Sequence, residues 1–214
     1  MRPDLRRIGS FAGSFIFFLF FAGALPLLSA EVGTNDPLYQ REEKIKAFRT
    51  KRDHFFKDDP RSPLKEDARK GFKGLIYYPI DLKYVITGFI ETYSTTPKPI
   101  YVNLPTNRGK DRKYVRYGRF RFELDGKKYV LHLYRPLGEE EVFLPFKDKT
   151  SGRETYPHGR YLFIETLSDG RVLIDFNRAY NPFCEYNEKF TCPFAPPENW
   201  LDTEIRAGEK RFQR

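Results

Sequence analysis

Arg119-Phe120-Arg121-Phe122-Glu123-Leu124-Asp125-Gly126-Lys127-Lys128-Tyr129-Val130-Leu131-His132-Leu133-Tyr134-Arg135 decides the fold. Up to Leu124 the residues alternate. Phe120, Phe122 and Leu124 take one face, and Arg119, Arg121 and Glu123 take the other, which is the period of a half-buried strand. Asp125-Gly126 then predicts a tight hairpin. Beyond it Tyr129, Leu131 and Leu133 share one face while Val130, His132 and Tyr134 share the opposite one, so the second strand is expected to be covered on both sides. Two strands joined this closely are antiparallel.

The same pattern continues on either side. Expected strands are 75–78, 84–93, 100–104, 113–124, 128–135, 142–146, 160–167, 172–178 and 203–207, with Ser168-Asp169-Gly170 closing a second hairpin. No helical pattern separates them, which argues against a parallel α/β sheet. The fold class expected is mainly β: an antiparallel curled sheet, a partly closed β-barrel or a sandwich, with one or two N-terminal helices. The first helix is predicted from about Pro37 to Phe56, capped by Asp36, with Leu38, Ile45, Phe48, Phe55 and Phe56 as its apolar stripe and a solvated basic face. A short second helix, announced by Ser62-Pro63-Leu64, ends near Lys70.

The first 30 residues read as an export signal. Arg2, Arg6 and Arg7 precede an apolar run from Ile8 to Leu28 that ends in Ser29-Ala30. The alternative is an uncleaved anchor, since about 20 apolar residues span a bilayer. Domains are thus expected at 1–30 (signal), 31–74 (helical segment packed on the body) and 75–214 (β domain), in a periplasmic or secreted protein. The chain carries a formal net charge of +9 with both signs interleaved. After export nucleic acid is not an expected partner, and membrane contact is expected only through an uncleaved N-terminus. Phe and Tyr number 21 and 14, so much of the core must be aromatic.

Chemistry-bearing residues concentrate between Thr150 and Asn199. Cys184 and Cys192, the only cysteines, are expected to pair as a disulfide in an oxidising compartment. No metal or cofactor is expected: the cysteines lack zinc-knuckle spacing and a nearby His, and there is no nucleophile elbow, zincin helix or phosphate loop. His158, in a loop, is the one histidine with a case as a general base. The candidate ligand-binding set is Glu154, Tyr156, Arg160, Tyr161, Asp175, Asn177, Arg178, Tyr180 and Asn181. In one reading Arg160 and Arg178 bind a small polar or anionic ligand that the tyrosines and asparagines orient. In a second, Glu154 and Asp175 serve as acid and base of an envelope hydrolase. In a third, the same groups form a structural network that satisfies irregular backbone in a non-catalytic interaction module.

Gly152-x-Glu154-Thr155-Tyr156-x-x-Gly159-Arg160-Tyr161, Asp175-Phe176-Asn177-x-Ala179-Tyr180-Asn181-Pro182-x-Cys184, Cys192-Pro193-x-x-Pro196-x-Glu198-Asn199 and Ala207-Gly208-Glu209-Lys210 together resemble the bacterial family known as domain of unknown function 1684. Ser62-Pro63-Leu64 and Phe72-x-Gly74-Leu75-x-Tyr77-Tyr78-Pro79 fit it too. The resemblance implies one exported β domain and points at these same residues; it implies no reaction. His158 stands where the family pattern has a small residue.

Overall fold

The computed structural model describes residues 37–93 and 98–213. The expected signal segment and the Asp36 cap lie outside the described residues. Helix α1 (Pro37–Asp58) buries Ile45 and Phe56, and Phe48 and Phe55 are half-buried, but Leu38 is exposed. Lys44, Lys46 and Lys51 are exposed as expected, whereas the arginines are not merely solvated. Arg41 reaches Glu165 (3.3 Å), Arg49 the carbonyl of Asn177 (3.3 Å) and Arg52 the carboxylate of Glu209 (3.1 Å). Arg49 also lies over the Tyr77 ring at 4.5 Å and Arg52 over Tyr180 at 4.8 Å. The docked stripe is therefore Arg41, Ile45, Phe48, Arg49, Arg52 and Phe56. Arginine suits it because the stem packs like a hydrophobe while the planar head stacks and donates. Before α2 (Glu66–Lys70), Ser62 ties the turn rather than capping the helix: its hydroxyl donates to the Phe56 carbonyl at 2.6 Å.

Nine strands follow among the described residues, all paired antiparallel. They are β1 (Val85–Gly88), β2 (Ile90–Thr92), β3 (Tyr101–Leu104), β4 (Arg112–Leu124), β5 (Lys127–Pro136), β6 (Leu144–Phe146), β7 (Arg160–Leu162), β8 (Ile164–Thr166) and β9 (Val172–Asp175). The opening hairpin is β4–β5, with positive φ at both Asp125 (50°) and Gly126 (75°) as a type I′ turn requires. Successive parts of one edge of β4 pair with β3 and β2; β1, β9 and β8 form a second sheet, and β6 with β7 a third. The sheets do not close into a barrel.

A bulge at Tyr117 organises the largest sheet. The register slips between Arg116 and Gly118, so Arg116, Arg119 and Arg121 line up opposite Tyr134, His132 and Val130 on one face. Phe120, Phe122 and Leu124 fall with Leu131 and Leu133 on the core face. Gly118 is required there, because a Cβ would sit 2.7 Å from Ile90 and 2.8 Å from the Glu91 carbonyl. The core joins these residues to Leu144, Phe146, Leu162, Ile174, Phe176, Ile205 and Ala207.

Five expected strands take other forms. The 84–93 run divides between two sheets at Phe89, and the 160–167 run divides at Phe163, whose side chain turns outward. The 172–178 run stops at Asp175, whose carboxylate accepts from the Asn177 N–H at 3.0 Å and winds residues 176–178 into a 3-10 turn. Residues 203–207 form no strand, because the carbonyls of Ile205 and Ala207 are taken by the Arg160 side chain instead of a ladder. Of 75–78 only one bridge survives, Tyr77 with Glu209.

The C-terminal segment docks through Gly208, at φ 77°. A Cβ there would lie 2.6 Å from the Phe176 carbonyl and 2.8 Å from Ala179. Gly208→Ala is expected to cost roughly 2 kcal/mol from strain and displacement, read as a lower urea midpoint; an unchanged midpoint would show that this approach is not needed.

Candidate functional site

Arg160 is at the centre of the polar stretch, and it is buried, with 1% of its surface exposed. One of its terminal nitrogens pairs with the fully buried carboxylate of Asp148 at 2.6 Å and donates to the Ile205 carbonyl at 3.0 Å. The other donates to the carbonyls of Ala207 and Glu209. Its plane lies 5.1 Å from the Phe146 ring. The other oxygen of Asp148 accepts from the Thr150 N–H and hydroxyl. Both terminal nitrogens of this guanidinium are thus committed to buried protein atoms, which leaves them no free direction toward a ligand.

The neighbouring residues behave alike. Glu154 accepts from the Tyr78 hydroxyl (3.1 Å) and pairs with Arg206 (3.0 Å). Asn177 exchanges two hydrogen bonds with the backbone of Asp81, both 2.9 Å. Arg178 meets Glu165 at 3.2 Å and lies over Phe48 at 4.9 Å. Asn181 donates from its backbone N–H and side chain to Glu209 and bonds the Lys210 carbonyl at 2.8 Å. Burial pushes the Asp175 carboxyl up, against the hydrogen bonds from Asn177. Glu209, fully buried, is pushed up to about 7 by burial, which outweighs Arg52 beside it. These groups bolt irregular segments to the sheets. Glu154 and Asp175 share no partner, so the acid–base pairing has no geometric support. His158 stacks on Phe194 at 4.0 Å, and burial lowers its pKa.

Tyr161 and Tyr180 have a different setting. They line a cleft of about 320 Å³ together with Tyr114, Phe143, Phe183 and Phe190. The rings form a chain: Phe163 stacks on Tyr180 (4.8 Å), Tyr180 meets Tyr161 edge-on (5.8 Å), Tyr161 meets Phe143 edge-on (4.7 Å), and Phe143 stacks on Tyr114 (5.5 Å). The paired backbone of Tyr161 and Tyr180 holds the middle of the chain, with N–H to carbonyl bonds of 2.9 and 3.0 Å. The Tyr161 hydroxyl is spent on the Pro193 carbonyl. Arg112 and Glu139 stand at the rim, and a smaller cleft of about 100 Å³ continues past Tyr180 and Phe163.

Cys192 lines the same cleft. The expected disulfide is not formed in this structure: both cysteines are buried free thiols. They are neighbours nonetheless, with the Cys184 N–H donating to the Cys192 sulfur at 3.3 Å and the Tyr156 hydroxyl 3.3 Å from the Cys184 sulfur. Among the described residues, no three His, Cys, Asp or Glu side chains gather closely enough to hold a metal ion. Sequence reasoning missed Asp148, Arg52 and the cleft phenylalanines. Asp148-x-Thr150 carried a usable signal, an Asp positioned to accept from the N–H two residues on.

The family model described as "Protein of unknown function (DUF1684)" matches residues 70–210. A solved structure similar to the chain is the solution NMR structure of an uncharacterized protein from Haloarcula marismortui. It is 36% identical, covers 81% of this chain and 95% of its own, and superimposes with a TM-score of 0.63. No curated protein matches.

Proposed function

The chain belongs to the DUF1684 family, whose description assigns no activity, and from its own cleft we propose that it is an exported binding protein for a small organic anion with an apolar body. The aromatic chain from Phe163 to Tyr114 carries this reading. It walls a cleft whose size falls at the low end of small-molecule sites and whose lining is apolar with few polar groups, as such sites are. Arg112 at the rim supplies a partner for the charged end. Ligand binding thus moves from Arg160 and Arg178 to Tyr161, Tyr180 and Arg112, while Glu154, Tyr156, Asp175, Asn177 and Asn181 hold the frame. Export rests on the pattern of the first 30 residues. In an oxidising compartment Cys184 and Cys192 are placed to pair, which would fix the cleft's floor.

A thermal-shift series of aryl carboxylates and medium-chain fatty acids tests the proposal. At concentrations far above Kd a bound ligand is expected to stabilise the protein by about 2–3 kcal/mol. Thr191→Arg, an exposed cleft residue, is expected to abolish the shift without lowering the unliganded midpoint, and Arg112→Ala to weaken it. A ligand that stabilises Thr191→Arg as well as the wild type would place binding elsewhere.

A further inference from the structure

A second surface, sharing no lining residue with the aromatic cleft, centres on Trp200, the only tryptophan of the chain. It is 56% exposed, yet it is not loose. Its indole N–H donates to the Ala195 carbonyl at 3.1 Å, its backbone N–H to the Pro197 carbonyl at 3.1 Å, and its backbone forms an isolated bridge with Lys147. Lys147 places its ammonium 4.7 Å from the indole. Beside the ring runs an open groove of about 500 Å³ lined by Lys127, Lys128, Tyr129 and Asp202. Lys127 and Lys128 are exposed at the foot of the β5 hairpin, and Asp202 is paired with Lys149 at 2.6 Å.

A large aromatic plane fixed in solvent is normally a liability. Here it is held by hydrogen bonds, so little conformational freedom is left to lose when something stacks on it. We propose that this groove binds a carboxylated sugar ring of an acidic glycan. The C–H face of a pyranose matches an indole, because the ring's electron-rich face attracts polarised hydrogens as it attracts cations. The carboxylate meets Lys127 and Lys128, and the paired Asp202 accepts from a sugar hydroxyl. The charge lining the groove, two exposed lysines against one aspartate already paired with Lys149, selects an anionic over a neutral sugar. The apolar part of the groove is small, one indole and one half-buried tyrosine with the half-buried Val130 and the buried Leu201, which favours a single ring over a lipid surface.

Trp200 reports on its own site. Trigalacturonic acid titrated into the full chain is expected to change tryptophan emission saturably, at least tenfold more tightly than maltotriose, and more weakly as salt rises. The double substitution Lys127→Ser with Lys128→Ser is expected to lower trigalacturonate affinity at least fivefold while leaving the emission of the free protein unchanged. Trp200→Ala, which also removes the indole hydrogen bond to the Ala195 carbonyl, is expected to remain folded in the absence of urea and to lose saturation-transfer signals from the sugar. Thr191→Arg, which blocks the other cleft, should leave all of this intact, so the two proposals fail separately. Equal affinity for the neutral sugar, binding that survives Trp200→Ala, or emission that responds to anionic vesicles and not to the sugar overturns the inference.

Discussion

Arg160→Met is expected to lower the unfolding free energy by about 4 kcal/mol, within the range for removing one partner of a buried ion pair. The reason is what remains. Asp148, with none of its side chain exposed, keeps a charge without its counter-ion, and the carbonyls of Ile205, Ala207 and Glu209 lose their shared donor. Small domains have only about 5–15 kcal/mol in total, so the urea midpoint should fall steeply. Adding Asp148→Leu should recover part of the loss by removing the stranded charge, while the Thr150 N–H and hydroxyl lose their acceptor. A ligand-binding arginine would behave in the opposite way, with stability kept and affinity lost. A loss below about 1 kcal/mol, the scale of exposed ion pairs, would return Arg160 to that role.

The second large effect is on pH dependence. Burial raises the Glu209 carboxyl from 4.5 to about 7. Between these values the folded protein holds a proton that the unfolded chain has released, so stability falls as pH rises through the window. From pH 5 to pH 8 this group alone should remove roughly 3 kcal/mol. His132 and His158, both lowered by burial, act with the opposite sign, losing stability as pH falls through the ordinary histidine range. The comparison with Glu209→Gln isolates the carboxyl, since both histidines are common to the two proteins. The variant keeps an acceptor for the Asn181 N–H and Arg52 but cannot ionise. Urea midpoints across pH 5–8 should therefore decline more steeply for the wild type, with the variant relatively more stable at the alkaline end. Parallel curves would mean that Arg52 holds Glu209 ionised throughout.

The β hairpins were legible because alternation and Asp-Gly or Ser-Asp-Gly turns are local signals. Residues 203–207 were not, since nothing local says that a guanidinium 45–49 positions earlier will take their carbonyls. The arginines of α1 misled for a related reason: a basic letter does not distinguish a solvated head from one stacked on Tyr77 or Tyr180. The polar stretch is dense in hydrogen bonds to backbone and to its own side chains. Its division into frame and cleft depended on which tyrosines face the aromatic cleft. Phe143, Phe183 and Phe190 were invisible among 21 phenylalanines, because composition does not say which rings leave a gap.

The dependence of Arg160 on carbonyls from Ile205 to Glu209 also sets an order of events during synthesis. Ile205, Ala207 and Glu209 are all fully buried, so a nascent chain that has emerged only as far as β9 holds an Asp148–Arg160 pair without its three carbonyl acceptors and a core open on one side. The native contacts of that pair cannot close until residue 209 has cleared the ribosome. A chain built in this way stays incompletely folded until residue 209 has been made.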